Sequence, residues 1–346
     1  METRVVKVTK DSVDILNEAG ALLRSGQLVA FPTETVYGLG ASAYDGEACK
    51  NVFIAKGRPS DNPLIVHISE PSEAENIAYT CPLYYELAKR FMPGPLTVIL
   101  PKKEVIPPET TGGLDTVAIR CPENEIARAL ILSAGVPIAA PSANASGKPS
   151  PTTAQHVYND LNGKIPMILD GGSSKFGVES TVISITNDKI TILRPGSVTP
   201  EMLSTVCDVE IASAVKSELK AGEVALSPGM KYKHYAPTAS LYLVDDRCVD
   251  FIEFAREKQK TENTAIMCYD EEIPYLSKEK LLPVGKRQDV CEQTKRLFDL
   301  LRQADDLGVD TAYAHLPSDD GVSLAMYNRL IRACAHRIIG GKNGEK

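Results

Sequence analysis

Two cations stand two apart in KGRPSDNPL, Lys56 and Arg58, with Asn62 just after them. In an extended segment both would point to one side, and an ammonium beside a guanidinium fork suits a polyphosphate. The same pair at a helix C-terminus would be favoured there by the helix dipole, with no ligand at all. A second stretch, PSANASGKPSPT (141–152), sets Ser142, Asn144, Ser146 and Ser150 around a Gly-Lys pair. A P-loop needs a glycine five residues before that pair and Ser or Thr directly after the lysine. Ser142 and Pro149 hold those places, and the proline removes a backbone N–H that would cradle phosphate. The stretch is not a P-loop. It does follow a strand-like run, and α/β proteins gather ligands at strand ends. A polar turn with a solvated lysine fits it equally.

FPTETVYGLGASA (31–43) reads as a buried strand opening into a loop, with Thr33 and Thr35 on one side of an extended chain and Glu34 opposite. Its glycines allow close backbone approach to a ligand; a strand-to-loop junction with a core tyrosine is the plainer alternative. Arg120 in TVAIRC and Arg194 in ILRPG lie in or at the end of apolar strands. A buried guanidinium there needs an anion, either a structural carboxylate or a substrate carboxylate or phosphate. Ser180 in GVESTVI belongs with them, and His67 in LIVHI has the setting of a core histidine. No Ser-His-Asp order, HExxH or paired-carboxylate motif is visible. The residues point to an anion-binding cleft that holds and polarises two substrates, without a protein nucleophile.

The elements that must position these groups follow from periodicity. Asp11 is expected to cap a helix through Ile15, Leu16, Ala19, Leu22 and Leu23, stopped by Gly26. LVAFPT, LIVHI, TVILPK, TVAIRC, PIAAP and MILD read as strands, and STVISIT and KITILRP as a hairpin around Asn187-Asp188. Helices are expected over 46–55, 83–91, 123–133 and 153–160. Past Ser197 the pattern changes. SPGMKYKHYAP (227–237) is basic and aromatic, and beyond it SLYLVD, TAIMCY and TAYAHL alternate with helices over 249–260, 290–307 and 323–339, as in a small parallel-sheet domain. The expected division is 1–205, a linker over 206–238, and 239–346.

Bulk properties narrow the function. A chain of 346 residues suggests two domains. Its formal net charge of −7 disfavours bulk binding to nucleic acid or anionic membrane. Eight dispersed cysteines with no CxxC pair read as reduced thiols of a cytoplasmic protein, and five scattered histidines give no zinc pattern. METRVVKVTKDSV is not a signal peptide, and no run approaches the roughly 18 apolar residues of a membrane span.

In order along about 200 residues stand PTETVYGLG, KGRPSDNPL, PGPLT, VAIRCP, APSANASGKPSPT, ESTVI and RPGSV. Together they closely resemble the YrdC-like family of threonylcarbamoyl-AMP synthases. SPGMKYKHYAP and the segment after it resemble the linker and C-terminal domain of the long, two-domain form. The resemblance implies an α/β fold: a YrdC-like twisted mixed sheet with surrounding helices, linked to a smaller Rossmann-like domain. It implies a nucleotidyltransferase that makes L-threonylcarbamoyl-adenylate from L-threonine, bicarbonate (or CO2) and ATP with Mg²⁺, releasing pyrophosphate. The product would pass to tRNA threonylcarbamoyl transferase proteins acting on adenosine 37 of ANN-decoding tRNAs. By resemblance, Lys56 and Arg58 are catalytic. Arg58, Asn62, Thr116, Ser142, Ser150, Arg194, His234 and Tyr235 contact ATP. Thr35, His67, Arg120, Ser180 and the backbone at Ala140 form the threonine pocket. No side-chain metal ligand is implied, the metal resting on the ATP phosphates. Two other readings are a non-catalytic RNA-binding module and a carbamoyltransferase of the hydrogenase-maturation type; this chain has none of the latter's cysteine clusters.

Overall fold

The computed structural model describes residues 2–215 and 235–340. The chain forms two compact units, Met1–Ser146 with Ser150–Lys231, and Gly147–Pro149 with Tyr232–Lys346. No helix among the described residues is long and apolar enough to cross a membrane.

Among the described residues the first unit carries eleven strands: β1 (Arg4–Lys7), β2 (Val29–Phe31), β3 (Gly38–Ser42), β4 (Ile65–His67), β5 (Leu96–Pro101), β6 (Thr116–Arg120), β7 (Ile138–Ala140), β8 (Met167–Asp170), β9 (Thr181–Thr186), β10 (Lys189–Arg194) and β11 (Val209–Ile211). They lie in the order β1-β8-β2-β3-β7-β4-β6-β5-β9-β10-β11, with parallel and antiparallel pairs mixed. One face carries a continuous core, from Ala30 and Leu39 through Val66, Val98 and Ile119 to Ile183 and Ile192. Helices Gly46–Lys56, Pro82–Phe91 and Ala154–Leu161 contribute Val52, Leu87 and Val157 to it. On the other face, helices Val13–Arg24 and Glu125–Ala134 cover β2, β7 and β8. Over β4, β6, β5, β9 and β10 that face holds, among the described residues, a small cluster of Ile65, Ile99, Ala118, Val182, Leu193 and Ala214, leaving room for polar groups.

Several local expectations change. The first helix is capped by Ser12 rather than Asp11, and the Ser12 hydroxyl accepts from the Thr9 N–H instead of a helix N–H. GLGAS is a strand, β3, where its glycines suggested a loop. The glycine is needed for packing: a Cβ on Gly40 would come within 2.7 Å of Ile138 Cγ2. Asn187 and Asp188 both take left-handed φ, 50° and 57°, as a two-residue hairpin turn requires.

The second unit carries β12 (Ser240–Val244), β13 (Thr264–Tyr269), β14 (Leu281–Gly285), β15 (Thr311–His315) and β16 (Ile338–Ile339), ordered β14-β13-β15-β12-β16 with every pair parallel. Its principal helices are Phe251–Thr261, Val290–Asp306 and Leu324–Ala333. The last stops six residues short of the expected Ile339. Ala335 and His336 turn the chain at φ 50° and 59°, and Ile338–Ile339 then pair with β12.

Candidate active site

A single register row crosses the open face. Ile138 on β7 pairs with His67 on β4, His67 with Arg120 on β6, Arg120 with Thr97 on β5, Thr97 with Val182 on β9, and Val182 with Arg194 on β10. Residues directly opposite on neighbouring strands share a face. Sheet order thus gathers three of the sequence-selected residues, His67, Arg120 and Arg194, in one line.

Arg194 reaches the row through a bulge. Ile192 pairs with Ile183, but Arg194 pairs with Val182, so one extra residue sits in β10. Without it Arg194 would keep the parity of Ile192 and point into the large core. Re-aimed, its Nε donates to Ser180 O and its Nη2 to Ser180 Oγ, both at 3.1 Å. Ser180 Oγ lies 2.7 Å from Thr97 Oγ1.

Arg120 is 4 % exposed and has a structural carboxylate, Glu34, also 4 % exposed, at 2.5 Å from Nη2. Nη1 donates to Thr35 Oγ1 at 2.9 Å and Nε to Gly94 O at 3.4 Å. Among the described residues one N–H remains on each terminal nitrogen, which is the fork a carboxylate accepts. The loop after β2 is not extended, which corrects the expected geometry. Thr33 Oγ1 accepts from the Thr35 and Val36 N–H groups. This turn brings Glu34 and Thr35 together onto one guanidinium. Glu34 also accepts from the Asn124 N–H, at the start of helix Glu125–Ala134. Burial opposes its charge, yet the charge and hydrogen bond of Arg120 hold the carboxyl below its ordinary range.

His67 is buried, with Nδ1 3.0 Å from Ile65 O and 3.3 Å from Ile138 O. Two carbonyls at Nδ1 place the proton there and leave Nε2 as an acceptor. Burial, reinforced by Arg120, pushes the imidazole down to about 3. So weak a base does not suit deprotonation of an ammonium near neutral pH.

A second group forms around the loop 141–152. Lys56 ends helix Gly46–Lys56, and Gly57 caps it at φ 61°. The 56–58 segment is therefore not extended, and Lys56 is not solvated: it is 4 % exposed. Its Nζ donates to Ser142 O, to Asn144 O at 2.5 Å and to Asn144 Oδ1 at 3.3 Å. Ser142 Oγ donates to Asn144 Oδ1 at 2.5 Å. Arg58 is half-buried, donating to Asn62 O and Pro63 O at 3.3 and 3.4 Å. Asn62 is fully buried, and among the described residues neither Oδ1 nor Nδ2 has a hydrogen-bond partner. A buried orphan amide is costly unless a ligand completes it. Ser150 Oγ bonds Glu179 Oε1 at 2.5 Å, one residue from Ser180, so this contact ties the loop to the register row. Thr116 shares the Arg120 face but starts β6, roughly 13 Å along the strand from it. Ala140 ends β7 opposite Ile65.

Two selected residues remain. His234 falls outside the described residues. Tyr235 belongs to the second unit, its ring buried and stacked on Phe298 at 5.2 Å, with the Arg329 guanidinium 5.7 Å from its centroid. Sequence reasoning missed Thr97 and Glu179, although each lies in a quoted motif, PGPLT and ESTVI. A threonine inside an otherwise apolar strand was the available signal for the first.

Residues 21–196 match the family model Sua5_yciO_yrdC, described as "Telomere recombination", and residues 198–335 match Sua5_C, "Threonylcarbamoyl-AMP synthase, C-terminal domain". The chain is 47 % identical over 332 residues to the threonylcarbamoyl-AMP synthase of Pyrococcus abyssi, covering 93 % of this chain and 94 % of that protein. It is 44 % identical over 326 residues to that of Bacillus subtilis, covering 93 % of each. The structure of P. abyssi Sua5 complexed with L-threonine superposes with a TM-score of 0.88 at 43 % identity, over 98 % of this chain and 99 % of that one. Matched along both units by sequence and by fold, the chain belongs to the threonylcarbamoyl-AMP synthase family in its two-domain form.

Proposed function

We propose that this chain condenses L-threonine, bicarbonate or CO2, and ATP into L-threonylcarbamoyl-adenylate, releasing pyrophosphate. The observation that carries the reading is Arg120, fixed by Glu34, Thr35 and Gly94 with one N–H left on each end of its fork. That fork suits the threonine carboxylate. His67 Nε2, next in the row, suits a donor on the same amino acid, its ammonium or hydroxyl. The backbone at Ala140 bounds the pocket.

The second group suits the nucleotide. Asn62 offers an unspent donor and acceptor, and Arg58, Ser142, Ser150, Arg194 and Thr116 supply further contacts. Lys56 acts chiefly by holding the 142–144 backbone in place and by its charge. By the family resemblance, His234 and Tyr235 would add ATP contacts. Mg²⁺ is expected with ATP, held by its phosphates, where it offsets their charge.

The neutral threonine amine attacks CO2, forming the N–C bond of a carbamate and losing a proton. A carbamate oxygen then attacks the α-phosphorus, and the bond to pyrophosphate breaks. Holding both substrates removes an encounter cost, and fixed cations stabilise charge on the phosphoryl oxygens. Excluding water protects the labile carbamate. The product would pass, in the cytoplasm, to a protein that transfers the threonylcarbamoyl group to tRNA. The test is pyrophosphate release from ATP with threonine and bicarbonate omitted in turn. Release needing both, and much weaker with serine, is the expected outcome. Release that ignores threonine would overturn the reading and favour the non-catalytic RNA-binding alternative.

A further inference from the structure

Two hydroxyls and one guanidinium nitrogen meet at the centre of the row. Arg194 Nη2 donates to Ser180 Oγ, and Ser180 Oγ and Thr97 Oγ1 are 2.7 Å apart. Both residues are fully buried. Thr97 sits inside β5, flanked by β6 and β9, and among the described residues Ser180 Oγ is its only side-chain partner. Guanidinium only donates. Only one of the two hydroxyl protons can lie between the oxygens; the other is left for a ligand, at a cost of about 1–3 kcal/mol while none accepts it, and Ser180, not Thr97, is the residue read as lining the threonine pocket. With Thr97 donating, Ser180 Oγ accepts twice, and its own proton points away from both neighbours. Accepting from a cation also polarises that O–H as a donor.

We propose that Thr97 is a positioning residue that, with Arg194, turns Ser180 into a dedicated donor toward an anionic oxygen of the amino-acid substrate. This rests on the reading of Ser180 as part of the threonine pocket. The oxygen in question is a carboxylate oxygen, because Arg120, the register partner of Thr97, holds the other side of that group.

The test compares Thr97→Val with Thr97→Ser. L-threonine and ATP binding are measured by calorimetry, threonine-dependent pyrophosphate release by turnover, and folding by the thermal midpoint. Loss of one oriented hydrogen bond predicts about tenfold weaker threonine binding for Val, with ATP affinity unchanged. Ser, which keeps the hydroxyl, restores threonine binding to within about twofold. A packing role predicts the reverse order, since Val preserves the β-branched shape that Ser loses. Should Val disturb the fold, Thr97→Ala removes the hydroxyl without adding bulk. Threonine binding unaltered by loss of the hydroxyl, or weaker in Ser than in Val, overturns the proposal alone. A parent protein that binds no threonine overturns the functional reading beneath it.

Discussion

His67 and Arg120 face each other across β4 and β6 as one register pair, so an imidazole and a guanidinium share a buried row. The arrangement works only because the imidazole stays neutral. Burial first, and then the Arg120 charge, hold it at about 3. Nitrogen-15 NMR should find the proton on Nδ1 and no titration of His67 between pH 5 and 9; a midpoint near 6.5 would refute this. The linkage has a definite sign. Between an unfolded value near 6.5 and the folded value near 3, the unfolded chain binds a proton that the folded chain does not. Stability therefore falls as pH drops through that window. His67→Gln should flatten the slope.

Lys56 is committed to the backbone of the 142–144 loop. Lys56→Met should lower threonine-dependent pyrophosphate release by about 10²-fold, the scale of losing a fixed donor in a reaction site. It should also raise amide exchange across Ser142–Ser146. Unchanged exchange there, with activity lost, would confine Lys56 to a direct role on the phosphates.

Asn62 carries two amide atoms that are buried and unpartnered among the described residues. Asn62→Leu removes that burden, so the ligand-free protein should gain about 1 kcal/mol of stability. ATP affinity should fall in the same variant. Calorimetry and thermal melts measure the two separately, and a destabilised variant with normal ATP affinity would mean the amide serves the fold.

His315 ends β15 with Nδ1 2.8 Å from both Asp246 oxygens and Nε2 2.8 Å from Glu272 Oε2. Phe251 and Tyr269 stack on its two sides, and Arg287 bonds Glu272 and Asp246 while lying over the Tyr269 ring. Burial lowers its affinity for a proton, but the hydrogen bonds and charges of the two carboxylates prevail and raise it. The stabilisation is complete below the unfolded value and is lost as pH rises through the folded one. The thermal midpoint of the full chain should decline as pH rises through that window. His315→Gln should melt lower at acid pH and lose the dependence; an identical pH profile would exclude this role.

The strands and helices were legible locally wherever periodicity was strong. Helix Gly46–Lys56 and the Asn187-Asp188 turn follow from cap residues and permitted φ, and the ordered motifs pointed to the family before any contact was known. Where packing overrides propensity, reading failed: GLGAS is a strand, paired with β2 and β7, and Ile138 and Phe31 leave no room for a side chain at Gly40. Sequence types also marked His67, Arg120, Ser180 and Arg194, but not their partners. The Arg120–Glu34 pair spans 86 residues, and the Thr97–Ser180 pair 83. Such distances are closed by the strand order β7-β4-β6-β5-β9-β10 and by one bulge in β10. Local periodicity can state which face a side chain takes within its strand; only the assembled sheet decides which strand lies beside it, and so which charge meets which.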